Sequence, residues 1–292
     1  MNEFKSFNPI VNFIYFLAVT VFSCVFMHPV SLAMSFVFGL VYAGLIGGGR
    51  AFKTNVKIIL SLAVVTAVIN SAFNHGGMTV LFYLPSGNPF TLEAMIYGVH
   101  AAVMTGGVIC WFYLLGSLFS SDKVIYLFSR ISPDFALIFS MTLRFIPKIS
   151  EYFGEAKKAD SVFKKGKGLA ARIKYTSEIF SAVVTRTLEN SIDTADSMNA
   201  RGYGRGRRTS FALYGFYKRD ALALIYIMLL SAYIIYGGVK GALYVNFYPE
   251  FKLGVFTVYG LSVFAAYFML LIFPLAVETE GAIKWKFLQS KI

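Results

Sequence analysis

Charged side chains are scarce in this chain of 292 residues: Asp, Glu, Lys and Arg together make up 14% of it, whereas soluble proteins carry about 25%. Hydrophobic residues reach 57% and aromatic residues 17%. A bilayer core about 30 Å thick is crossed by about 20 helical residues, so the long runs with almost no charge are expected to span a membrane. The composition excludes a water-soluble protein and predicts an all-α, polytopic membrane protein that is embedded in the lipid bilayer.

Residues and motifs for catalysis are also few. The two cysteines, Cys24 and Cys110, lie in apolar runs and provide neither a disulfide framework nor metal-ligand spacing, so we expect them in the core. The sequence has no GxxxxGK[ST] phosphate loop and no HExxH helix. His28, His75 and His100 are scattered. We therefore expect no metal site, no cofactor and no ATPase or other enzymatic activity in this chain.

Six apolar runs are candidates for membrane spans. They cover residues 10–27, 30–46, 56–73, 94–119, 221–236 and 254–277. The first run passes through His28-Pro29 directly into the second, without small residues at a cleavage position, so it is expected to be a retained span and not a signal peptide. The sequence thus predicts an N-terminal membrane domain of four spans (1–119), a cytoplasmic helical region (120–219) and a C-terminal membrane region with a tail (220–292).

Basic residues orient these spans. Lys and Arg outnumber Asp and Glu by 27 to 15, a formal net charge of +12. Arg50, Lys53 and Lys57 connect the second and third runs without an acid, whereas the connection 74–93 has no Lys or Arg, and 18 of the 27 lie in residues 120–220. By the positive-inside rule, both termini and residues 120–220 are cytoplasmic, and no nucleic acid partner is needed to explain the charge.

The cytoplasmic region is too long for a simple connector and should contain long helices. Ser132-Pro133-Asp134 supplies the hydroxyl, proline and acid of a helix start. Apolar residues then recur at helical spacing from Phe135 to Ala156. Since an interior proline costs about 3 kcal/mol, Pro147 predicts a kink or a break near Phe145-Ile146.

A second amphipathic helix is predicted from about Ala170 to Gly202, where a glycine-rich basic turn ends it. Its apolar face consists of Ile173, Phe180, Val184, Leu188, Ile192, Ala195 and Met198. Such a face can pack on another helix or the membrane interface, or enter a groove on a partner protein.

Two segments of this region carry a family resemblance. Leu143-Arg144-Phe145-Ile146-Pro147 and Met198-Asn199-Ala200-Arg201-Gly202-Tyr203, in this order and within this topology, resemble the T component of energy-coupling factor (ECF) transporters, the EcfT/CbiQ-like family. The resemblance extends over nearly the whole chain. It implies a non-enzymatic scaffold in an ATP-driven importer of vitamins or metal ions, in the cell membrane of a bacterium or archaeon.

The resemblance also implies partners and a docking site. The partners would be two ABC ATPase subunits and a separate S-type membrane subunit that captures the substrate. Cytoplasmic coupling helices in this family seat two short arginine motifs in grooves on the ATPases, and Ala200-Arg201-Gly202 matches the second motif. The small residues Ala200 and Gly202 allow the backbone to approach a partner closely, and the planar Arg201 guanidinium offers several N–H donors to a carboxylate or to backbone carbonyls. The alternative is that Arg201 only complements the helix dipole and Gly202 only caps the helix.

The first motif departs from the family pattern. Ala159-Asp160-Ser161 stands where an arginine motif is expected. One hypothesis is that the two ATPases are non-identical and that this helix meets a basic or neutral groove; the alternative is that Asp160 is solvated and the contact lies one turn away. Arg144 and Pro147 are candidate structural or coupling residues. For Arg144 three interpretations are open: a buried ion pair, an anchor at an interface, or a functional role.

Two other functions remain open. In a conventional ABC permease the spans would form the substrate path, and Glu155-Ala156-Lys157 resembles the start of the permease coupling motif but is not followed by its second alanine and glycine. An integral membrane enzyme would need convergent polar groups at one membrane face, and no such group occurs at diagnostic spacing.

Overall fold

The computed structural model describes residues 3–74, 76–83, 89–160, 169–206, 214–243, 245–246, 252–253 and 257–290. The chain divides into two compact units, Met1–Ser120 with Tyr214–Ile292, and Ser121–Leu213. We call the first the membrane unit and the second the insert unit.

Helices make up most of the described chain. A 3₁₀ turn at Glu3–Ser6 precedes α1 (Pro9–Val25), α2 (Pro29–Phe73), α3 (Leu92–Leu118), α4 (Ser121–Ile131), α5 (Pro133–Asp160), α6 (Leu169–Ala200), α7 (Lys218–Val239) and α8 (Val258–Gln289). Two short antiparallel ribbons pair β1 (Val80–Tyr83) with β2 (Pro89–Thr91), and β3 (Val245–Asn246) with β4 (Lys252–Leu253). The sequence patterns did not predict these ribbons.

Four of the described helices, α2, α3, α7 and α8, are long and apolar enough to cross a membrane, and α1 is a shorter apolar helix of 17 residues. The prediction of an all-α, multi-pass membrane protein is therefore confirmed. The count of six spans stays a prediction, because two of the predicted runs fall within α2.

A turn at Gly48 separates those two runs. Gly48 has φ 70° and ψ −174°, which a residue with a side chain rarely adopts. Before Gly48, α2 runs parallel to α3; after it, Ile59 lies against Gly106 and Ala67 against Gly98, so the chain runs antiparallel to α3. The glycine thus reverses the chain direction within one nominal helix.

Small residues bring the second half of α2 close to α3. Gly98, Ala102 and Gly106 recur every four residues on α3, and all three are buried. A Cβ atom on Gly98 would lie 2.6 Å from the Ala67 Cα, and one on Gly106 would lie 2.7 Å from the Ile59 Cγ1. Because lipid tails are as apolar as leucine, such close backbone contact is a main source of helix association in membranes.

A buried polar cluster joins α1, α2, α3 and α8. The Ser23 and Ser35 hydroxyls lie 2.5 Å apart, the Trp111 indole donates to Ser35 Oγ at 2.9 Å, and the Tyr267 hydroxyl lies 3.4 Å from Ser23 Oγ. Ser23 Oγ also lies 2.8 Å from the carbonyl oxygen of Val19. A polar group inside a membrane is costly without a partner, and these bonds fix the mutual positions of four helices.

The two cysteines differ in environment. Cys110 is buried in α3, as predicted, whereas Cys24 is exposed on α1, so its predicted place in the core is wrong. In a membrane protein the lipid-facing side of a helix is as apolar as its core-facing side, and the sequence around a small residue does not distinguish them.

The insert unit contains α4, α5 and α6, of which α4 was not predicted. The Phe128 and Phe139 rings, 5.9 Å apart, lie between α4 and α5. Helix α5 continues through Pro147, so of the predicted kink or break near Phe145-Ile146 the break is wrong and the kink stays a prediction. Proline leaves only the carbonyl of Leu143 without its helical donor, and the other hydrogen bonds of this helix of 28 residues remain possible.

Candidate functional site

The end of α6 is a glycine-dependent helix cap. The Gly202 N–H donates to the Asn199 carbonyl at 3.0 Å, and the Tyr203 N–H donates to the Met198 carbonyl at 3.0 Å. This pair of bonds, with Gly202 at φ 82°, is the Schellman arrangement, in which two otherwise unpaired helix carbonyls gain donors. The local sequence therefore fixes both where α6 stops and how the chain leaves it.

Arg201 occupies the cap position of this turn and is exposed, as are its neighbours Ala200 and Tyr203. Among the described residues, apart from the glycine and its two chain neighbours, no atom lies within 4 Å of the position that a Cβ on Gly202 would occupy, so this side of the backbone is open to close approach. The guanidinium offers a planar set of N–H donors suited to a carboxylate or to backbone carbonyls. Arg205 adds a second exposed cation one turn further along.

Polar and aromatic contacts hold α6 against α5. Arg186 Nη1 lies 2.7 Å from Glu155 Oε2, and its guanidinium lies 4.2 Å from the centre of the Tyr152 ring. Asn190 Nδ2 donates to the Tyr152 hydroxyl at 3.0 Å. Because helices rise about 1.5 Å per residue, the tip at Arg201 lies roughly 16 Å along α6 from Asn190. The described contacts between the helices thus leave the tip free.

Apolar side chains are exposed on both long helices of the insert unit. On α6, Ile179 and Val183 are buried, whereas the predicted apolar face includes Ile173, Leu188 and Ile192, each more than 60% exposed. On α5 the exposed residues include Phe135 and Ile138. An extended apolar surface of this kind usually marks an interaction site.

The first predicted motif is only partly described. Ala159 and Asp160 are the last residues of α5, and Ser161 lies outside the described residues. The role of Ala159-Asp160-Ser161 in docking stays a prediction.

Arg144 and Pro147 lie on α5, and both are exposed. Arg144 forms no ion pair with any residue that the structure describes, so it is not in a buried structural pair. The interface and functional interpretations of this residue remain predictions.

Metal-binding clusters are absent from the described part of the chain. His28 is buried, and its Nδ1 accepts from the Val30 N–H at 3.2 Å, so it caps α2. His100 lies in α3, and His75 lies outside the described residues.

Together, the spans and the insert unit define a class: a multi-pass, all-α membrane protein with exposed amphipathic helices, one of which ends in a basic turn. The chain is 26% identical over 203 residues to the energy-coupling factor transporter transmembrane protein EcfT 1 of Listeria monocytogenes serotype 1/2a (strain 08-5578), a match that covers 64% of this chain and 74% of the relative. No family model matches the chain. The relative confirms the resemblance seen in the sequence motifs: the chain is EcfT-like.

Besides the two ribbons, the sequence patterns missed helix α4 and the small-residue stripe of α3. Helix α4 is only 11 residues long and follows the fourth apolar run almost without a gap. The small-residue stripe of α3, by contrast, had a visible signal, since Gly98, Ala102 and Gly106 form two overlapping small-xxx-small motifs.

Proposed function

We propose that this chain is the transmembrane coupling component of an ECF-type ABC importer. In this role it transmits the motion of two ATPase subunits to a separate S-type membrane subunit that captures a vitamin or a metal ion. The relative is a transporter membrane protein by name, and the ATPase activity belongs to the partners. The chain itself acts as a scaffold in the cell membrane of a bacterium or archaeon, with both termini in the cytoplasm.

The observation that carries this proposal is the exposed tip of α6. A Schellman cap fixes the backbone at Gly202, and Arg201 projects from an open turn beside it. This arrangement fits insertion of the arginine into a groove on an ATPase, because the end of the helix presents a permanent charge that is exposed among the described residues. A mere helix terminator needs the glycine but not the arginine.

The exposed apolar faces of α5 and α6 supply the second part of the proposal. Ile173, Leu188 and Ile192 on α6 are exposed in the chain alone. In the assembled importer we expect partner subunits to cover part of this surface, which links the ATPase contact at the tip to the membrane subunits. Burial of a leucine or isoleucine side chain contributes about 1.5–3 kcal/mol.

Arg201→Glu tests the docking role. A desolvated charge pair that loses one partner costs about 3–5 kcal/mol, so ATPase binding should weaken more than about a hundredfold and uptake should be lost, while the protein remains in the membrane. The matched control is Arg205→Glu, which makes the same charge change on an exposed arginine of the same turn. Co-purification of ATPases and substrate uptake in cells are the measurements.

Variants of Gly202 separate the cap from the charge. Gly202→Ala strains a backbone with φ 82°, whereas Gly202→Asn is tolerated better because asparagine visits this conformation. ATPase binding should therefore fall for Gly202→Ala and be largely kept for Gly202→Asn. Normal ATPase binding by Arg201→Glu, or equal loss in Arg201→Glu and Arg205→Glu, would contradict a specific docking role for Arg201.

A further inference from the structure

The membrane unit contains an open groove between the N-terminal segment, the start of α7 and the second half of α8. Its volume is about 840 Å³, within the range of about 300–1,000 Å³ typical of small-molecule sites. Most of its wall is apolar or aromatic. The main lining residues are Phe7, Leu222, Tyr226, Phe273, Val277 and Trp285.

Two acidic side chains hold the elements around the groove together. The Glu278 carboxylate accepts the backbone N–H groups of Glu3 and Phe4, at 3.0 and 3.2 Å, and so holds the N-terminal turn against α8. The buried Asp220 carboxylate accepts the N–H groups of Asn8 and Tyr217, at 3.2 and 3.0 Å, and joins the start of α1 to the start of α7. These bonds come from neutral donors and leave both carboxylates charged, and neither forms an ion pair with a cation of the described residues.

Arg219 supplies an uncompensated charge at the mouth. Its guanidinium lies 4.1 Å from the centre of the Phe7 ring, and Nη2 donates to Ser6 Oγ at 3.0 Å. It forms no ion pair with a carboxylate in the described chain, whereas Lys284, the other lining cation, is paired with Glu280 at 2.5 Å. The remaining N–H groups of the guanidinium are free to bind an anion.

Charges of both signs surround Arg219. Arg219 lies in the first turn of α7, where the helix dipole is positive and cations are disfavoured. Lys218 adds a second exposed cation there, against the carboxylate of Glu3, whose side chain lies beside Gly281. The acids of this region, Glu3, Asp220, Glu278 and Glu280, are as numerous as its cations, so the argument for a phosphate rests on the Arg219 guanidinium alone, the lining cation without a carboxylate partner among the described residues.

The rim of the groove has the composition of a membrane interface. Trp285 is 48% exposed next to Lys284, and Leu222 and Leu288 are 70% and 57% exposed. Tryptophan and basic residues are enriched where headgroups meet the hydrocarbon core. The groove therefore combines an apolar wall, an interfacial aromatic residue and an unpaired guanidinium.

We propose that this groove binds an anionic phospholipid, with one acyl chain along the apolar wall and the phosphate against Arg219. The proposal goes beyond the coupling function and does not depend on it, because all of the lining residues belong to the membrane unit. A bound lipid would fill the space between α7 and α8 and hold the N-terminal segment in place.

Quenching of Trp285 fluorescence by brominated lipids tests the proposal. The chain has two tryptophans; Trp111 is fully buried, and a Trp285→Phe variant gives its background signal. The purified chain is reconstituted in phosphatidylcholine nanodiscs that contain a minor fraction of brominated phosphatidylglycerol, or the same fraction of brominated phosphatidylcholine. Phosphatidylglycerol should quench Trp285 more strongly, and inorganic phosphate in excess should not reduce this difference.

Arg219→Gln should lower the preference for phosphatidylglycerol about fivefold, as expected for one cation at a lipid surface. The control Lys286→Gln removes the same charge from an exposed residue of α8 that does not line the groove, and it should keep the preference. Size-exclusion profiles verify that both variants fold.

Equal quenching by the two lipids, or equal effects of Arg219→Gln and Lys286→Gln, would overturn the proposal. Displacement of the lipid by inorganic phosphate would also overturn it, because the site would then bind a free anion. A third contradicting result would be native mass spectrometry that finds a partner membrane subunit, and no phosphatidylglycerol, bound to the chain with this groove intact.

Discussion

Gly98 is the position where α3 tolerates a side chain least, and Gly98→Ala measures how much the close helix contact stabilises the membrane unit. The added Cβ would lie 2.6 Å from the Ala67 Cα and 2.9 Å from the Thr66 carbonyl oxygen. Both are backbone atoms, so no rotation of a side chain can relieve the overlap. The two helices must separate locally.

The expected cost follows from two opposing effects. Overpacking of a tight interface costs about 1–3 kcal/mol, and separation of the helices also weakens the bond of 3.0 Å from Thr66 Oγ1 to the Gly98 carbonyl, worth about 1 kcal/mol. Alanine gains about 1 kcal/mol over glycine in a helix. We therefore expect a net loss of about 1–3 kcal/mol.

Gly116→Ala is the matched control, because Gly116 lies in the same helix and no atom of the described residues outside its own stretch of helix occurs within 4 Å of its Cβ position. This variant has the gain in helix propensity without the overlap. The difference in stability between the two variants therefore isolates the packing cost.

Cys110 provides the assay. It is fully buried, whereas Cys24 is exposed, so in a Cys24→Ser background a thiol-reactive dye reports unfolding of the membrane unit in detergent during heating. A change of 1 kcal/mol shifts the midpoint by about 2–4 °C in proteins of roughly this size. Gly98→Ala should melt several degrees below Gly116→Ala. If the two melt together, the contact of α2 with α3 at Gly98 is not close in the folded protein.

Two further predictions concern orientation and docking. A cysteine introduced at Gly76 should react with an impermeant reagent in intact cells, and one at Gly206 should react only after permeabilisation; the reverse pattern would contradict the orientation derived from the basic loops. Photocrosslinkers at Ser161 and Gly202 should capture different ATPase chains if the two ATPases are non-identical. Asymmetric docking would be rejected if both crosslinkers captured the same polypeptide and Asp160→Arg improved assembly.

Much of the candidate site was predictable because its determinants are local. The bounds of α6 and its end before Gly202 follow from apolar periodicity and from glycine chemistry, which act within a few residues. The family resemblance rests on the same short segments. The exposure of Arg201 and the unpaired state of Arg144 could not be predicted, because each depends on which distant residues pack nearby.

By itself, the sequence determined that the protein lies in a lipid bilayer and which long segments are helical. Long runs with almost no charge require a bilayer, since lipid offers no hydrogen bonds to an unpaired backbone and helices satisfy their own. Only the tertiary structure decided how those helices pair. In an all-apolar segment the core-facing and lipid-facing sides have the same hydrophobicity, so no periodicity shows that Gly98 lies against Ala67 or that Cys24 is exposed. Backbone contact and polar bonds such as that of Trp111 to Ser35 make that choice, and they join residues far apart in the chain.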